Sequence, residues 1–388
     1  MFGKSTPRRA RRSAIAMAAV LAVAAVAAPA AEAAVVHATP VPTYQTNGRV
    51  NSIVIQNGVI YLGGRFTAVR PAGSSSGSVT RNHAAALSLA TGQVLPWDPN
   101  VNGTVQSLAV GNGRVYLGGS FSSVGGTSRT RLAAVDAASG AVVSGFNPRP
   151  SGAVNSLAVS GNTLYAGGNF TTVGGTARSN LAAVDATSGA LLSGWAPAAN
   201  DLVKAVDMAA DGTKVYVAGN FTTIDGASHR HVAALDPTTG AAISSFSHGL
   251  SYAVVDMAVD ASGVFIAGAG GGGNFADLNL TTGAMVWQGG TDGNVQAIAT
   301  LDGIVYVGGH YDNYCGMQGG QHTCTTAIQR HKLLAVDELT GTLQSWDPSA
   351  NSALGVFALT GSGTVLAAGG DFTRIGGRAQ QGFAEFTE

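Results

Sequence analysis

The chain has 388 residues, 55 of them glycine, with 45% hydrophobic and 11% charged side chains and equal numbers of basic and acidic groups. This apolar content excludes both a collagen-like and a disordered chain. The length outgrows one ordinary core, so several domains or a repeat architecture are expected.

Residues 1–33 fall into a basic stretch (MFGKSTPRRARRS), an apolar stretch (IAMAAVLAVAAVAA) and a small-residue end (PAAEA). That order predicts a secretory signal peptide cut after Ala33. The apolar stretch is short and alanine-rich, which argues against a membrane anchor. The pairs Arg8–Arg9 and Arg11–Arg12 leave a twin-arginine export route open beside the general one. Cleavage removes Lys4, Arg8, Arg9, Arg11, Arg12 and Glu32, leaving 16 basic and 20 acidic side chains and a net charge of −4. A mildly acidic secreted chain without basic clusters suits neither nucleic acid nor an anionic membrane.

Residues 34–388 repeat. LGGSFSSVGGTSRTRLAAVDAASGAVVSGFNP (117–148) and AGGNFTTVGGTARSNLAAVDATSGALLSGWAP (166–197) nearly superimpose with an offset of 49 positions. An eight-residue step, Ile53 to Tyr61, recurs as Leu108–Tyr116, Leu157–Tyr165, Met208–Tyr216, Met257–Phe265, Ile298–Tyr306 and Leu359–Ala367. Repeats therefore start near residues 50, 105, 154, 205, 254, 295 and 356. Each reads as four short strands, A to D, with Asp or its substitute four residues before a glycine in the C–D turn. Asp136, Asp185, Asp236 and Asp337 hold that place, where the side chain caps the turn and glycine takes the positive φ. Four antiparallel strands per repeat predict an all-β, seven-bladed β-propeller in one domain. Glycines are expected at the start of each B strand, near the axis. The last repeat stops after its third strand, and PTYQTNGRVNSI (42–53) resembles WDPNVNGTVQSL (97–108). The N-terminal strand is thus expected to complete the last blade, leaving no open edge.

The pattern GGNFTTVGG…R…LAAVD…SG resembles the delta-60 repeat, a domain-of-unknown-function β-propeller of secreted bacterial proteins. It is more distantly similar to kelch-type repeats, through the apolar-Gly-Gly strand and the late Trp. The resemblance implies a propeller without an assigned reaction and carries over no catalytic residue. LNLTTGAMVW (278–287) is similar to the tryptophan-docking motif of quinone-dependent dehydrogenase propellers. Those carry adjacent disulfide-bonded cysteines, whereas Cys315 and Cys324 are nine apart, so no quinone cofactor is expected.

A residue present in most repeats builds the repeat; a site should break the pattern. Arg129, Arg178 and Arg330, with Arg81 and His229 at equivalent places, read as a lock onto neighbouring-blade carbonyls or carboxylates, or as a cationic ring. Loop length is more telling. The aromatic ending strand B lies 11 residues before strand C in four repeats, but 18 before it in the first (Phe66 to Ala84) and 22 in the sixth (Tyr311 to Leu333). All this variation falls on the face carrying the B–C loops, beside the mouth of the channel. The sixth-repeat insertion gathers His310, Tyr311, Asp312, Asn313, Tyr314 and His322 around a Cys315–Cys324 disulfide expected in an oxidising compartment. Tyr and Asn on a stiffened loop suit a sugar ring or a peptide, and His83 and Arg81 could face the same mouth. His310, Asp312 and His322 match no standard metal spacing, so no metal or other cofactor is assigned, with calcium or another ion as the alternative.

The expectation is a secreted, monomeric, non-enzymatic propeller that binds an extracellular carbohydrate or protein through its B–C loop face. The alternatives are a polysaccharide hydrolase or lyase with its site at the channel mouth, and a passive scaffold.

Overall fold

The computed structural model describes residues 1–3, 35–74, 76–270, 272–316, 324 and 327–388. The expected signal peptide therefore lies outside the described residues beyond its first three. From residue 35 on, every regular element among the described residues is a β-strand.

Each repeat unit forms an antiparallel A–B–C sheet. The strands are Val50–Gln56, Val59–Gly64 and Ala84–Ser88 in unit 1, and Thr104–Gly111, Arg114–Ser120 and Leu132–Asp136 in unit 2. Units 3 and 4 use Ala153–Ser160, Thr163–Asn169 and Leu181–Asp185, then Val203–Met208, Val215–Gly219 and Val232–Leu235. Units 5 and 6 use Val254–Val259, Val264–Gly268 and Gly273–Leu278, then Asn294–Leu301, Ile304–His310 and Leu333–Asp337. Unit 7 has Val356–Ser362, Val365–Gly370 and Phe383–Thr387. Strand B is apolar on both faces because it is sandwiched between neighbouring units, and it is buried along nearly its whole length.

Strand D departs from expectation. Among the described residues it is a full strand only in unit 5, Met285–Thr291. Elsewhere it makes one bridge to strand C, as in Val184–Leu191, then crosses to the B–C hairpin of the next unit, as in Ala199–Ile224. Two features accompany this in most units. Pro99, Pro148, Pro197 and Pro348 follow the aromatic and offer no ladder donor. The aromatic itself turns into the space between units: Trp195 stacks edge-on against Tyr165 at 5.2 Å, and its Nε1 donates to Asp236 O of the next unit at 3.1 Å. Tyr165 Oη donates to Pro237 O beside it at 2.9 Å. Trp97 and Tyr61 repeat both bonds on Asp136 O and Ala137 O.

Segment 35–46 runs along strand C of unit 7, where His37 N and Val41 N donate to Thr387 O and Glu385 O, each at 2.8 Å. It then pairs, through Gln45–Thr46, with the B–C hairpin of unit 1. Val50, Ile53 and Ile60 of unit 1 share one core cluster with Ala358, Ala367 and Phe383 of unit 7.

The diglycine ends strand B rather than starting it, so its role differs from the expected packing at the axis. A Cβ on Gly167 would lie 2.4 Å from Val203 Cγ1, in strand A of the next unit; on Gly168 it would lie 2.1 Å from Ala153 O in its own unit. The first glycine admits the neighbouring unit and the second admits its own strand A.

A further repeated device has only a weak sequence signal. The residue at the D–A junction caps its unit's B–C hairpin: Asn102 Oδ1 accepts Ser122 N and Ser123 N, and Asn200 Oδ1 accepts Thr222 N and Thr223 N. Asn47, Ser151, Asp292 and Asn351 do the same in their units. This fixes the hairpins on the face where all A strands begin.

Candidate functional site

The A strands of all the units line a central cavity of about 650 Å³. Each A strand carries a bulge at one equivalent place, for example between Val50 and Ser52 and between Val203 and Ala205. The extra residue projects from the ladder, and these residues (Asn51, Gln106, Asn155, Lys204, Val255, Gln296 and Phe357) line the cavity.

Below the bulges, side chains tie one A strand to the next. Ser52, Ser107 and Ser156 accept from Leu108 N, Leu157 N and Val206 N at 3.0, 2.9 and 2.9 Å. In units 4 and 5 carboxylates take over: Asp207 accepts from Val259 N and Asp256 from Ile298 N, both at 3.0 Å. Enclosure by the cavity wall opposes their ionisation and outweighs these bonds, so their pKa values are pushed up to about 6 and about 7.

The mouth lies where A strands begin and B strands end. Arg49, Arg65, Thr104, Ala269 and Asn294 stand there. Arg65 N donates to Arg49 O at 2.8 Å, which sets the two arginines side by side. The Arg49 guanidinium lies 4.2 Å from the Phe357 ring centroid. Burial first, and then the charge of Arg65, lowers its pKa, offset in part by Asp371.

The sixth-unit insertion is used differently from expectation. Tyr311 is 2% exposed and donates to Val307 O at 2.7 Å; Tyr314 is 5% exposed and packs near Phe275. Both are core residues, so neither can stack on a ligand as expected. The reason is register: Tyr311 fills the aromatic place that ends strand B, and Tyr314 lies in Asn313–Gly316, which joins strand D of unit 5. Cys315 is buried and bonded to Cys324. Asn313 Nδ2 donates to Asp292 Oδ2 at 2.7 Å. Asp312 is exposed and accepts from Lys332 Nζ at 2.7 Å and His331 Nδ1 at 3.0 Å, and these two bonds hold its pKa below the usual range. It lines a separate groove between units 6 and 7, with Arg374. His310 is exposed at the end of strand B, and His322 lies outside the described residues. No group of three or more metal-binding side chains converges among the described residues.

His83 is not at the mouth. It precedes strand C in the left-handed conformation, φ 65°, with Nδ1 3.2 Å from Gly64 O. Arg131, Asn180, His231, Lys332 and Gly382 hold the same place with φ between 65° and 71°. The repeated arginines bind their own unit's D segment, not the neighbouring unit as expected. Arg129 donates to Ser128 O and Ser144 O, Arg178 to Ala177 O and Ser193 O, and Arg330 to Gln329 O and Gln344 O. Arg81 belongs with them, donating to Thr80 O and Leu95 O. Asp136, Asp185, Asp236 and Asp337 each accept from the Ser or Thr hydroxyl of their own turn.

Sequence reasoning missed Arg49, Arg65, Lys204, Asp207 and Asp256. A usable signal existed: one place varies freely within the repeated Gly-Gly-x-aromatic string. Its occupants are Arg65, Ser120, Asn169, Asn220, Ala269, His310 and Asp371.

A β-propeller domain of unknown function (DUF5122) matches residues 111–133, and the family described as outer membrane protein assembly factor BamB matches residues 228–372. No curated protein matches the chain. The WD40 β-propeller domain of Doa1 is similar in structure, with a TM-score of 0.57 at 14% identity, over 89% of this chain and 97% of that one. The computationally designed Ika8 protein is similar with a TM-score of 0.52 at 15% identity, over 89% of this chain and 98% of that one.

Proposed function

We propose that this β-propeller is a secreted, monomeric binding module of the delta-60, distantly kelch-like, kind. In this reading it has seven blades, with segment 35–46 as the closing strand of the last. The bridge between Val41 and Glu385 and the core shared by Val50 and Phe383 support closure. The Cys315–Cys324 bond supports export to an oxidising compartment. Its ligand, an extracellular carbohydrate or protein, docks on the B–C loop face. One observation carries this: the face surrounds a polar cavity mouth whose residues change from unit to unit, while the framework beneath repeats.

The test is a binding screen of residues 34–388 against immobilised glycans and extracellular proteins, beside N169R and N220R variants that crowd the same face. Binding by the parent that either variant weakens supports the reading. Binding that neither variant touches moves the ligand to another face, and no binding by the parent leaves the scaffold reading.

A polysaccharide hydrolase is the second reading, favoured by the two carboxyl groups in the cavity wall that titrate near neutral pH. Against it, each already holds a backbone N–H of the next unit. Turnover of a bound polymer, lost in D256N, would select it.

A further inference from the structure

We propose that Arg49 and Arg65 form an anion subsite at the cavity mouth that takes the carboxylate of an acidic sugar, an inference that rests on the binding-module reading above. The pair is peculiar to unit 1. The place of Arg49 is held elsewhere by Thr104, Ala153, Leu202, Ala253, Asn294 and Gly355. No other unit has an arginine at the place of Arg65. The Arg65 N to Arg49 O bond, which other units also make, sets the two departures on neighbouring strands at the mouth, close enough for the charge of Arg65 to be felt at Arg49.

Neither guanidinium has a carboxylate within ion-pair distance among the described residues. Asp371 is near and offsets part of the charge at Arg49, but it forms no ion pair, and its Oδ1 accepts from Ser352 Oγ and the amides of Leu354 and Gly355. The Phe357 ring holds the Arg49 side chain in place, so little order is lost when an anion arrives. Two parallel N–H groups on each guanidinium match the two oxygens of a carboxylate.

The cavity beside the arginines also offers hydrogen-bond acceptors. Asn51 and Asn155 line it and spend their Nδ2 groups on Val105 O and Val203 O, which leaves each Oδ1 to accept from a hydroxyl group. Asp207 and Asp256 on the wall disfavour a second anion. A ligand with one carboxylate and several hydroxyl groups meets both ends, as a uronic acid unit does. The cavity volume falls within the usual range for small-molecule sites.

The experiment measures binding of oligogalacturonate to residues 34–388, to R49Q and to R65Q, with folding checked by circular dichroism. Methyl-esterified oligogalacturonate and dextran sulfate serve as the comparison polymers. The expected result is binding that falls about tenfold or more on esterification and in each variant, and that weakens with salt. R65Q keeps the test usable if R49Q loosens the packing on Phe357, because Arg65 is exposed. Equal binding of the acid and its ester, unchanged binding by both variants, or tighter binding of dextran sulfate overturns the proposal. A neutral glycan or protein that binds this face equally well in R49Q and R65Q also overturns it while sparing the binding-module reading. Absence of binding to any ligand class removes both.

Discussion

Thr360 Oγ1 donates to Ile53 O at 2.8 Å, joining the inner strands of the last and first units across 307 residues. The bond continues around the cavity the series that Ser52, Ser107 and Ser156 make between consecutive units. If the ring is closed, this contact is as much a part of the cooperative core as the others. T360V should then lower stability by about 1 kcal/mol, and S107A by about 1–3 kcal/mol because it leaves a buried N–H unpaired. Both should unfold in one transition with a shifted midpoint in thermal denaturation. A T360V profile with a separate early step would mean that the ends open independently.

Gly167 faces strand A of the next unit, with Val203 Cγ1 2.4 Å from the position of an added Cβ, whereas Gly145 has nothing within 4 Å. G167A should therefore cost about 1–3 kcal/mol through overpacking. G145A should change the midpoint little. Urea denaturation of the two variants checks the contrast, and equal effects would remove the inter-unit role of the diglycine.

His83 owes its place to backbone geometry. At φ 65° a glycine is at ease and a β-branched residue is not. H83G should be neutral to stabilising, while H83V should lose about 1–2 kcal/mol. Calorimetric midpoints decide, and a clear loss in H83G would return a side-chain role to this residue.

Glu385 is 4% exposed, and its Oε2 has no hydrogen-bond partner. Burial pushes its pKa from 4.5 to about 7. Between those values the unfolded chain has lost the proton and the folded chain keeps it, so the folded state binds more protons and stability falls as pH rises. Below about 4.5 the group is neutral in both states, and above about 7 it is charged in both, so its contribution is flat at either end. E385Q should be more stable than the parent at pH 8 and should lose part of the slope between pH 5 and 7, with the remainder belonging to Asp207, Asp256 and Asp277. Unfolding midpoints across that range test this, and identical slopes would show that Glu385 is solvated.

The repeat period, the turn aspartates and the diglycine were legible in the chain itself, because each is a local pattern written several times over. The length of strand D was not, because the segment after the C–D turn leaves its own strand C to bridge the hairpin of the next unit, as Ala199 does with Ile224, and that partner is set by stacking. Tyr311 and Tyr314 read as display residues in an insertion; Tyr311 instead fills the repeated aromatic place after strand B, and only the pairing of Asn313–Gly316 with unit 5 turned Tyr314 inward. The convergence of Arg49, Arg65, Lys204 and Asp256 on one cavity likewise belongs to the tertiary structure. Sequence determines that a strand alternates its faces, but a one-residue bulge reverses which face a side chain takes. Only the stacking of one unit on the next decides which of those side chains meet.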